Sequence, residues 1–175
     1  MKGTLARALM VLCCFSISGT APAAETNSAL IVLKQLNARS QFGIGYKEYG
    51  TLVESTNVQV KEYLNSRDAK AHPAVRGHIA KAMEHHQRAA RVWSVHIAFP
   101  SSDFVFENRP DWNAFIEYYP DGIQLLDAFK GKPGDRSVSF REMLSYMWEK
   151  AFQETVEAEK LYQDGSASKK TPKKK

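Results

Sequence analysis

Residues 73–97, PAVRGHIAKAMEHHQRAARVWSVHI, decide the fold class. Val75, Ile79, Met83, His86, Ala90, Trp93 and Ile97 recur at three- and four-residue steps, the spacing that puts side chains on one face of an α-helix. Pro73 suits a first helical turn, because its fixed φ is already helical and its missing N–H would have had no intrahelical partner. The residue before it, His72, is pushed out of the helical region, so the helix starts at this point. Pro100 ends it.

The same periodicity continues on both sides. Downstream, Ser139 and Glu142 fit a capping box. Phe140, Leu144, Met147, Trp148, Ala151, Phe152 and Val156 then form a stripe that Asp164-Gly165 closes. Upstream, Leu36, Phe42, Tyr46, Tyr49, Val53, Val60 and Leu64 mark one long helix, or two in line, over Asn27–Leu64. Gly43, Gly45 and Gly50 interrupt it, each costing about 1 kcal/mol in a helix interior, and mark a kink or a close approach of a neighbour. Asn65–Asp68 is a polar break. The body is therefore expected to be all-α, an up-down bundle of three long helices whose core includes Leu36, Val53, Ile79, Trp93, Leu144, Trp148 and Phe152.

The connection from Phe99 to Ser137 is rich in aromatic residues, among them Phe104, Phe106, Trp112, Phe115, Tyr118, Tyr119 and Phe129. Asp103–Glu107 alternates like a short strand. Ala114–Tyr119 either pairs with it in a small β-hairpin or follows Pro110-Asp111 as a short helix. Ile123–Phe129 reads as a short helix and Gly131–Gly134 as a turn. A structureless stretch of this length is unusual in a compact domain, so it should fold against the bundle. Two roles are open to its rings. They cover the core, with Phe104 and Phe106 inward and Asp103, Val105 and Glu107 outward. Or Trp112 and Tyr118 stand in solvent as anchors for a partner.

The ends carry different information. Lys2 and Arg7, the apolar run Ala8–Ile17 and the small residues up to Ala21-Pro22-Ala23 have the pattern of a secretory signal peptide over 1–23, too short to span a bilayer. Both cysteines of the chain, Cys13 and Cys14, would leave with it. The remaining chain would have no thiol for disulfides, nucleophilic catalysis or metal ligation. Residues 24–164 form the helical domain, and Gly165–Lys175 reads as a disordered lysine-rich tail. The chain has 24 Lys+Arg and 19 Asp+Glu. Lys2 and Arg7 and the tail's Lys169, Lys170, Lys173, Lys174 and Lys175 account for the whole excess, leaving a slightly acidic body of 17 against 19. The basic balance thus predicts no nucleic-acid-binding face. The tail is suited to weak, salt-sensitive contact with an anionic envelope surface.

Catalytic and metal motifs fail on geometry. Four of the five histidines lie on the 73–97 helix, and no two sit at i and i+4. His78 and His85 are separated by about 10.5 Å along the axis, too far to share one metal at bonds of about 2 Å. There is no G-x-S-x-G, and Gly131–Ser137 departs from a phosphate loop in the place of its lysine and in Pro133. The expectation is a non-enzymatic, exported protein, periplasmic or secreted, with no cofactor, binding an envelope protein or surface component. The alternative is a carrier of a small ligand, haem or metal in the bundle interior, using His86, Tyr46 and Trp93.

Overall fold

The computed structural model describes residues 23–99, 103–122 and 136–168. Six helices and two short strands account for nearly all of them: α1 Ala23–Phe42, α2 Tyr46–Asn65, α3 Arg67–Ala71, α4 Pro73–Ala98, β1 Phe104–Phe106, α5 Pro110–Tyr118, β2 Ser137–Ser139 and α6 Phe140–Ser168. The long helices number four among the described residues, because the upstream segment is two helices and not one. Gly43, at φ +90°, supplies a left-handed backbone that a side chain would strain, and the chain reverses there. A stripe drawn through Phe42 as if the helix continued thus misplaces it: Phe42 is 90% exposed at the end of α1.

Cross-helix contacts fix the directions. Arg39 pairs with Glu48 beside the α1–α2 turn at 3.6 Å, while Thr26 at the far end of α1 meets Asp68 beyond the end of α2. Tyr46 touches Trp93, and Leu64 accepts from Arg76, so α4 runs back along α2. His96 stacks on Phe140 and His78 pairs with Glu154, so α6 returns along α4. Lys34–Glu159 and Asn37–Thr155 join α6 to α1 and close the ring of four. Each helix therefore runs antiparallel to both neighbours, an up-down-up-down arrangement.

The core is what these faces enclose. α1 contributes Ala29, Leu30, Leu33 and Leu36; α2 Tyr49, Val53, Val60 and Tyr63; α4 Val75, Ile79, Met83, Ala89 and Val92; α6 Met143, Leu144, Met147, Ala151 and Ala158. Leu36, Val53, Ile79 and Leu144 are buried as expected, and Trp93 and Trp148 are partly buried against the cluster. Phe152 and Val156 are not core: they are 40% and 43% exposed, and Ala151, Thr155 and Ala158 face inward instead. Small residues on this face let α1 come close enough for Asn37 to reach Thr155. Ile97 is also exposed at the end of α4.

The connection resolves into a helix and a strand. Ala114–Tyr119 lies largely in α5, which starts at Pro110 and packs on α4. β1 pairs instead with β2, antiparallel, with Val105 opposite Val138. Both valines are fully buried, while Phe104 and Phe106 are about half exposed, which inverts the expected alternation. With a period of two only one face can enter, and pairing with the apolar Val138 selects Val105. Trp112, Phe115 and Tyr119 turn into the core. Gly122 packs so tightly on Phe115 and Tyr119 that a Cβ would stand 2.9 Å from each ring residue. α6 begins directly after Ser139, as the capping signal placed it, and continues through Gly165 to Ser168. The turn at 131–134, the helix at 123–129, the segment before Ala23 and Lys169–Lys175 lie outside the described residues.

Candidate functional site

Two polar constellations stand out against the apolar bundle. The first is inside it. His86 is fully buried on α4, with Nε2 2.9 Å from Asn37 Oδ1 and Nδ1 3.0 Å from the Tyr49 hydroxyl. The hydrogen-bond directions are determined from one end. Thr155 donates to its own helix at Ala151 O (2.8 Å), so it accepts from Asn37 Nδ2 (3.0 Å). Asn37 Oδ1 therefore accepts from His86 Nε2–H, which leaves Nδ1 as acceptor for the Tyr49 O–H. Trp148 Nε1–H in turn donates to the Tyr49 oxygen at 3.0 Å. The chain Trp148, Tyr49, His86, Asn37, Thr155 thus crosses all four long helices with each member paired.

Burial pushes the His86 imidazole down to about 3, with His85 adding in the same direction, and it raises the Tyr49 phenol. Both groups are neutral, as the direction of the hydrogen bonds requires. With both ring nitrogens engaged and no exposure, His86 offers nothing to a haem iron or metal. Tyr46 and Trp93 do meet, at 5.8 Å between centroids, but as ring packing above the network. Among the described residues no group of three His, Cys, Asp or Glu side chains converges on a metal position.

The second constellation opens to solvent. At the end of the bundle where α1 turns into α2, a groove of about 1000 Å³ runs between α1, α4, the β1 edge and the start of α6. Its walls include Trp93, Trp148, Phe140, Phe104, Ile44 and Leu144. Asp103, Arg141 and Glu149 are its charged lining residues, and all three are exposed.

His96 also lines the groove, and its geometry is set from behind. Its Nδ1 is 2.8 Å from Asp111 Oδ2, and its ring lies flat on Phe140 at 3.7 Å with 7° between planes. Asp111 is fully buried in the first turn of α5; its other oxygen accepts from Arg109 Nε at 3.3 Å and from Trp112 N at 3.2 Å. Arg109 also donates to Phe99 O at 2.6 Å, tying α5 to the end of α4. Because a carboxylate only accepts, His96 Nδ1 carries the proton, and in the neutral ring Nε2 keeps its lone pair. Among the described residues His96 Nε2 has no hydrogen-bond partner.

Trp112 is 6% exposed beneath this dyad and presents no surface to a partner. Tyr118 is half-buried, with the Arg88 guanidinium 5.0 Å from its ring centre. Neither has the exposure of an anchor. The lysines of the proposed tether lie outside the described residues. No local spacing in the sequence links His96 to Asp111, because a β-strand and a turn intervene. Comparison of the chain with protein families, with curated proteins and with solved structures finds no match.

Proposed function

We propose that the chain is an exported, non-enzymatic binding protein of the cell envelope, periplasmic or secreted, and that its ligand is a small molecule held in the groove beside His96. The observation that carries this is the His96–Asp111 pair. A carboxylate buried without solvent is costly, and Asp111 turns its Oδ2 to His96 at the groove wall. Here it fixes the tautomer and orientation of a groove histidine whose Nε2 has no hydrogen-bond partner among the described residues. The groove is of ligand size and mixed in character, with Trp93, Trp148, Phe140 and Leu144 beside Ser40, Gln41, Ser139, Ser145 and its charged residues. Export is supported by the charge, apolar run and Ala21-Pro22-Ala23 of the leader. Residues 169–175 would add weak attachment to anionic surfaces, and no nucleic acid is involved. A protein partner is the second reading, favoured by the 90% exposure of Phe42 on the groove rim.

Trp93 and Trp148 line the groove and report on it directly. Titration of the purified protein with small aromatic compounds should shift their fluorescence saturably, and His96→Ala should weaken binding about tenfold or more, the scale of one lost hydrogen bond in an apolar site. Unchanged fluorescence across neutral, anionic and cationic aromatics would remove the reading.

A further inference from the structure

Resting on the groove reading, we infer that the occupant is an organic cation: an ammonium group carried on an aromatic or apolar body. The walls favour such a body, and aromatic faces attract cations through the negative potential over the ring. The sign of the charge follows from the polar groups. Asp103 and Glu149 outnumber Arg141 along the groove. Helix dipoles do not decide the matter, because antiparallel α1, α2, α4 and α6 bring two N-termini and two C-termini to this end. His96 adds to the acceptors: with Nδ1–H committed to Asp111, its Nε2 presents a lone pair. An ammonium has donors and no acceptor, and so complements that lone pair and the two carboxylates. A carboxylate ligand would meet both negative side chains.

Three probes of one shape separate the possibilities: phenethylamine, 2-phenylethanol and phenylacetate. Each is titrated against the tryptophan fluorescence of the full mature protein at pH about 8. The amine should bind at least about tenfold more tightly than the carboxylate, a difference of the size one partly screened charge contact gives. The double variant Asp103→Asn, Glu149→Gln should close most of that gap while leaving the melting temperature unchanged, since both side chains are exposed. Equal binding of amine and alcohol would overturn the cation inference and leave the groove as a binding site. Tighter binding of the carboxylate would do the same. Failure of all three to bind would overturn the inference together with the groove reading beneath it.

Discussion

His86 shows how a single buried side chain sets the behaviour of the bundle. Its folded pKa is depressed to about 3 from an ordinary 6.5, because burial penalises the imidazolium. The unfolded chain therefore takes up a proton as pH falls through 6.5, while the folded chain refuses it until about 3. Across that window the unfolded state binds more protons, so stability drops as the solution is acidified, by at most about 1.4 kcal/mol per pH unit for this one group. His86→Gln should be less stable at neutral pH, having lost a partner of Tyr49 or Asn37. It should also show a shallower loss between pH 6 and pH 4 in chemical denaturation, with that range an approximate choice inside the window. Parallel curves for the two proteins would mean that His86 titrates normally and that the network is open to water. The position of His86 on the inner face of α4 is legible in the 3.6-residue period. Its partners are not, because Tyr49, Asn37 and Thr155 sit on other helices and nothing local ties them to it.

At the scale of the element, periodicity identified the helices better than it identified their faces. α4 runs Pro73–Ala98, with Pro73 at its start as proline chemistry requires. The α6 stripe was legible in its first half, through Phe140, Leu144 and Met147. It fails at Phe152 because an apolar side chain need not be buried, and the face toward α1 is built from Ala151, Thr155 and Ala158. The same holds for Phe104 and Phe106, both about half exposed. Strand β1 has one buried residue, Val105, and its partner Val138 lies beyond a connection that gives no pairing signal. α5 is where this matters for the site, since it carries both Asp111 and the buried Trp112. Trp112→Ala should lower the melting temperature by about 10 °C, the effect of losing about 3 kcal/mol of core packing in a domain of this size. It should also weaken ligand binding in the groove, because Asp111 is held in part by the Trp112 amide and loses its frame when α5 loosens. A shift of less than about 2 °C would place the indole at the surface and return it to the role of anchor.

On the scale of the whole molecule, the bundle is held at two levels that share no residue. At the middle, the His86 network joins α1, α2, α4 and α6. At the end away from the groove, Asp68 is buried at 1% exposure and ties the start of α1 to α3. Its Oδ2 accepts from the Thr26 amide at 3.1 Å and from the Thr26 hydroxyl, and its Oδ1 lies 3.0 Å from His72 Nδ1. Negative charge at the first turn of α1 also complements the helix dipole. Thr26 and Asn37 lie about 16 Å apart along α1 at the helical rise, well beyond the range at which substitutions usually couple. Asp68→Ala and Asn37→Ala should therefore each cost about 2–4 kcal/mol, from buried polar groups left without partners. Their effects should add to within about 0.5 kcal/mol in the double variant, provided that unfolding remains two-state. Asp68→Ala should leave the relative affinities of the three phenyl probes unchanged, because Asp68 lies at the end away from the groove, whereas Asn37 belongs to the network that reaches the groove wall at Trp148. A coupling energy above about 1 kcal/mol would mean that the two levels move together along α1. Separation of groove from frame would then fail, and a change in Asp68 at the far end would be felt at His96.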